Sequence, residues 1–160
     1  MFDAVVLGTV VTEESVTTDG YVAISGEKIG EVGHGTPPAA RTIFDRSGSL
    51  IFPGLVDGHV HTGSALGWQG IEGTTKTAAA GGVTTCVDMP LNASPPTVDA
   101  RSFDLKLAAG SRASMIDFAL WGGLIPGNRE DMDDLAARGV IGFKAFMADS
   151  GLPLCKTSGK

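Results

Sequence analysis

The sequence predicts an α/β protein: a small all-β unit over residues 1–50, then alternating strands and helices over residues 51–151. Three observations carry this. The opening section holds valine- and isoleucine-rich pieces cut by glycines, "DAVVLGTVV", "YVAISG", "KIGEVG" and "RTIFDRSG", with no helical pattern. From residue 51 onward, near-continuous apolar runs alternate with helix-forming stretches at about thirty-residue intervals, the size of a βαβ unit. The 23 glycines in 160 residues are about twice the usual share of roughly 7%, which suits many tight loops better than a helical bundle.

Taken in order, the first section reads as a small antiparallel unit closed by "RTIFDRSG", with His34 a surface residue in the loop "HGTPPAA". "GSLIFPGLVD" is the first buried-type strand. "GIEGTTKTAAAGG" is a helix stopped at Gly81 and Gly82. "VTTCVDMP" is a second, β-branched strand, with Cys86 as a small core residue. "TVDARSFDLKLAAG" is a helix with an acidic start and a terminal glycine, Gly110. "MIDFALWGGL" is a third strand. "GNREDMDDLAARG" is a helix with Asn128 as N-cap and Gly139 as its stop. "VIGFKAFM" is a fourth strand, and residues 152–160 form a tail whose "KTSGK" has phosphate-loop fragments in the wrong order. Strands apolar throughout are covered on both faces, as in a parallel sheet flanked by helices. An open doubly wound sheet and part of a (β/α)8 barrel both fit. A whole barrel takes about 250 residues, so this chain has room for about half of one.

The composition, 42% hydrophobic and 19% charged, supports a packed core. Eighteen acidic against 12 basic residues give a formal charge of −6. The basic residues do not cluster, so nucleic acid is not an expected partner. Cys86 and Cys155 have no metal or redox spacing. The start, "MFDAVVLGTVVTEE", has no basic leader region and is too short in apolar length to span a membrane, so a cytoplasmic protein without membrane contact is expected. Trp68 and Trp121 read as packing residues.

Candidate chemistry gathers where strands end. In "VDGHVH", Asp57, His59 and His61 alternate, so an extended chain points them to one face. Two neutral imidazoles there can share an ion such as zinc, and Asp57 can accept a ring proton and fix the tautomer. A solvated strand end fits the same residues. Lys144 lies inside the apolar "VIGFKAFM". It reads either as a snorkelling lysine or as a desolvated amine able to take up carbon dioxide as a carbamate, an anionic oxygen ligand. Asn92, in "DMPLN", can bind a polar substrate through its donor and acceptor, or simply follow a turn at Pro90.

Together these motifs resemble the cyclic amidohydrolases, the group of allantoinases, dihydropyrimidinases (hydantoinases) and dihydroorotases. "GEKIGEVG", "FPGLVDGHVH", "AAAGGVTTCVDMPLN" and "GVIGFKAFM" match in order and spacing over residues 1 to about 151. "DMPLN" with "PPTVD", and "WQGIEG" before the alanine helix, look most like the allantoinase branch. The resemblance implies a partial (β/α)8 TIM barrel, about the first four βα units, over residues 51–151. It makes residues 1–50 part of a composite, β-sandwich-like unit. It makes His59 and His61 metal ligands, and Lys144 a carboxylated lysine bridging two divalent ions, most often Zn2+. Asp57 belongs to the same motif behind the ligands, and Asn92 faces the substrate.

The reaction implied is metal-assisted hydrolysis of a cyclic amide: allantoin to allantoate, by an enzyme that is homo-oligomeric when intact. "TGSALGWQG" stands where allantoinases carry an E-P-G-R-like segment, which keeps a hydantoinase-type substrate in view. The family's catalytic aspartate and two further histidine ligands lie on later strands. After Lys144 there is no histidine, and Asp149 comes too early to be that aspartate. The chain is therefore expected to be an N-terminal portion, inactive alone, or a non-catalytic truncated remnant.

Overall fold

A computed structural model describes residues 1–63, 69–148 and 151. Trp68, Asp149, Cys155 and the "KTSGK" tail lie outside the described residues. The chain is a mixed α/β fold that divides into two compact units, Met1–Pro53 and Gly54–Lys160.

The first unit is one four-stranded sheet in the order β3-β2-β1-β4. Its strands are β1 (Phe2–Val11), β2 (Val16–Ser25), β3 (Lys28–His34) and β4 (Ala40–Ile51). Alternation along β1 and β2 turns Val5, Tyr21 and Ala23 into a small core, against which Phe2, Leu7 and Ala40 pack. A tight turn joins β2 to β3 at Gly26, whose φ of 57° suits glycine. Its N–H donates to Asp3 Oδ2 at 2.8 Å.

The expected all-antiparallel unit is corrected here, because β4 runs parallel to β1. Residues 35–39 include Pro37 and Pro38, which have no N–H to donate to a ladder with β3. The chain instead comes alongside β1, where Phe2 N–H donates to the Ala39 carbonyl at 2.9 Å. His34 ends β3 as an exposed strand residue rather than sitting in a loop.

The second unit is built on parallel strands β5 (Leu55–Val60), β6 (Val83–Asp88) and β7 (Asp117–Leu120), adjacent in that order. Helix α1 (Gly70–Ala80) connects β5 to β6, and α2 (Ala100–Ala113) connects β6 to β7. Beyond β7, β8 (Gly122–Gly123) pairs in parallel with β9 (Phe143–Lys144). Ile141 N–H donates to the Leu120 carbonyl, and Leu124 N–H to that of Lys144, so the ladder extends past the two-residue strands. Between them lie a short 3-10 turn (Arg129–Asp131) and α3 (Met132–Ala137). Phe103, Leu120 and Leu135 form the core under Phe118 and Val140.

Local chemistry explains where the helices begin and end. α1 stops at Gly81 as the glycine pair predicts. Asp99 caps α2 in a capping box: Ser102 N–H donates to Asp99 Oδ1 at 2.7 Å, and Asp99 N–H to Ser102 Oγ at 3.2 Å. Two expectations are corrected. Gly110 does not end α2, which runs on to Ala113. Gly110 is there for closeness, since a Cβ on it would stand 2.3 Å from Phe118 Cζ. Nor does the Asn128 side chain cap a helix. It is buried, donating to the Val98 and Gly123 carbonyls at 2.8 Å each and accepting from Ile125 N–H at 2.9 Å. Three backbone groups claim that carboxamide, so α3 starts later, from Asp131. Among the described residues no helix is long and apolar enough to cross a membrane.

Candidate metal centre

The chemistry-bearing residues meet at the C-terminal ends of β5, β6 and β9. His59 is the second-to-last residue of β5, and His61 lies just beyond the strand. Pairing with β6 slips between Asp57 and Val60, so plain strand alternation is broken there. The two imidazoles nevertheless stand side by side, centroids 5.4 Å apart and planes tilted by 54°. Two imidazoles about 2.1 Å from one tetrahedral ion have centroids about 5 Å apart, so this spacing fits a shared ion. Both residues are exposed, open to a ligand from solvent.

Asp57 is tied to the backbone beside the first imidazole. Its Oδ1 accepts the His59 backbone N–H at 3.0 Å, closing a local turn. Among the described residues, no three His, Cys, Asp or Glu side chains cluster as a metal site. Lys144 stands near this pair. It is half-buried on β9, with Nζ 3.4 Å from Met89 Sδ and 5.2 Å from the Phe146 ring centroid.

The local field records its nearness. The His61 pKa lies below its ordinary 6.5, first from partial burial of the ring, then from the Lys144 ammonium and from His59, with Asp88 opposing and Lys106 adding slightly. His61 is thus held toward the neutral form that binds metal. An ammonium on Lys144 opposes a cation at this place, whereas a carbamate on the same nitrogen adds an oxygen donor. Asn92 lies in the bend after β6 with φ 58° and is exposed.

One pair at this end was not singled out from the sequence. Asp88, the last residue of β6, and Lys106 of α2 form an ion pair with side chains 4% and 1% exposed. Asp88 Oδ1 also accepts the Thr62 N–H at 2.7 Å, and Lys106 Nζ donates to the Met89 carbonyl at 3.0 Å. The signal was present: Phe103, Lys106 and Gly110 fall at helical spacing, which puts a lysine in the apolar stripe of α2. Trp121 is packing, as expected, and also bonded: Nε1–H donates to the Gly58 carbonyl at 3.1 Å. Cys86 is buried, and burial pushes its thiol pKa up.

Parallel strands with paired imidazoles after one and a lysine on another fit a cyclic amidohydrolase, and the chain belongs to that family, as its relatives show. It is 47% identical over 155 residues to the allantoinase of Rubrobacter xylanophilus, covering 95% of this chain and 34% of that protein. It is also 47% identical over 113 residues to the allantoinase of Saccharomyces cerevisiae, covering 69% of this chain and 25% of that one. Among solved structures, the L-hydantoinase (dihydropyrimidinase) of Arthrobacter aurescens superposes with a TM-score of 0.87 at 30% identity, over 97% of this chain and 35% of that one. No family model matches. The chain thus spans about a third of the length of the curated relatives that match most of it.

Proposed function

We propose that the complete protein is a metal-dependent hydrolase of cyclic amides, acting on allantoin to give allantoate. The observation that carries this reading is the His59–His61 pair, with ring centroids 5.4 Å apart and Lys144 close to His61. In this reading residues 51–151 are about the first four βα units of a (β/α)8 barrel, and residues 1–50 are part of a composite sandwich. His59 and His61 hold the metal. Lys144, if carboxylated, would change from a repelling cation into an anionic oxygen ligand for divalent ions such as zinc. Asn92 donates to and accepts from the ring amide of the substrate. Asp57 stiffens the strand end by holding the His59 backbone. Divalent ions bound there would polarise the scissile carbonyl and lower the pKa of water. The allantoinase relatives support allantoin as substrate, and the resemblance implies that the intact enzyme is a homo-oligomer.

A second reading, a hydantoinase or dihydropyrimidinase, is favoured by the structural likeness to L-hydantoinase and by "TGSALGWQG" after His61. The test is turnover of allantoin, hydantoin and dihydrouracil by the protein isolated from its source, with zinc added. Preference for allantoin, abolished by His59→Ala, is the expected result. Preference for dihydrouracil transfers the assignment to the second reading, and no ring opening of any of the three overturns both.

A further inference from the structure

The Asp88–Lys106 pair lies behind the proposed ligands, and its position asks for an explanation. Burying two charges between a strand end and a helix is costly, and apolar side chains of similar volume fill such a place at least as well. What apolar side chains cannot do is bind backbone. Asp88 Oδ1 takes the Thr62 N–H, the amide directly after His61. Lys106 Nζ takes the Met89 carbonyl, and the side chain of Met89 touches Lys144. One buried pair therefore grips the chain beside two of the proposed ligands, each through a bond to a charged group, the stronger kind.

We infer that Asp88 and Lys106 are positioning residues, which set the height and direction of His61 and Lys144 at the strand ends and so tune metal affinity. The inference rests on the reading of those two side chains as ligands. The experiment uses the protein isolated in its full length, freed of metal. The key variant is Asp88→Leu with Lys106→Met, which removes both charges together and leaves no unpaired ion to unfold the chain. Zn2+ affinity is measured by competition with a chromophoric chelator. Hydrogen exchange of the Thr62 amide is followed without metal.

The expected result is a folded double variant whose zinc affinity falls about 10- to 100-fold, the range for partners behind the ligands. Its Thr62 amide exchanges roughly tenfold faster or more, as loss of a bond to a carboxylate requires. Parent-like zinc affinity in the double variant, with zinc lost in His61→Ala, overturns the positioning role and leaves the ligand reading standing. Zinc binding unchanged in His61→Ala sinks the ligand reading, and this inference with it.

Discussion

Two clusters lie around the ends of β5 and β6. In one, His59 and His61 are exposed. In the other, Asp88 and Lys106 are buried and bonded to each other and to backbone. The groups suited to binding something from solvent are left accessible, and the groups suited to holding shape are taken out of water. Exposure and burial are thus separated over a few residues: Thr62, on the buried side, immediately follows His61. Mutations on the two sides should therefore divide between stability and ligand capture.

The sharpest way to break that contrast is to unpair the buried charges. Lys106→Met leaves Asp88 buried without its cation and should cost about 3–5 kcal/mol in urea unfolding, the usual loss for a broken buried pair. A cost below about 1 kcal/mol would place the pair with surface bridges and end the comparison. Next comes the packing behind it. Gly110→Ala gains helix propensity but drives a methyl group into Phe118, for a net loss of about 1–3 kcal/mol. Asp99→Ala removes the cap of α2 and should cost about 1 kcal/mol.

The open side should give the smallest change. In the metal-free protein His61→Ala should shift stability by no more than about 0.5 kcal/mol. Its effect on zinc capture should be far larger. The pH dependence follows from the direction of the His61 shift. The folded protein binds the His61 proton less tightly than the unfolded chain, whose pKa is near the ordinary 6.5. In the window just below 6.5 the unfolded state therefore holds more protons, so this contribution to stability rises with pH and is lost on acidification. An NMR titration of the imidazole should show a midpoint below 6.5. A midpoint above it would mean that Asp88 governs the ring instead.

Much of this was legible in the sequence, and the exceptions share one cause. Strand–helix alternation, the Gly81–Gly82 stop and the acidic start of α2 are local signals, and the fold follows them. The run "GSLIFPGLVD", read as one buried strand, departs from this: its first part ends β4 at Ile51, and β5 begins at Leu55 with most of its residues exposed. The parallel pairing of β4, the passage of α2 through Gly110 and the three backbone bonds of Asn128 are set by distant partners. Phe118, Val98 and the Ala39–Phe2 contact decide them, and no nearby pattern announces those. Lys106 was the harder case. Its place in an apolar stripe is visible in the sequence, but its partner, Asp88, lies at the end of another element, and only the fold joins them.

Trp121 has a further use. Its indole N–H holds the Gly58 carbonyl, one residue before His59 and 63 positions away in the chain. Indole emission depends on that bond and on the polarity around the ring. The molecule therefore carries its own optical gauge beside the paired imidazoles. Zinc added to the wild type, with a Trp121→Phe variant subtracted, should change emission in step with occupancy, and His59→Ala should silence the signal. An unmodified chain would then report ligand capture in real time without any dye.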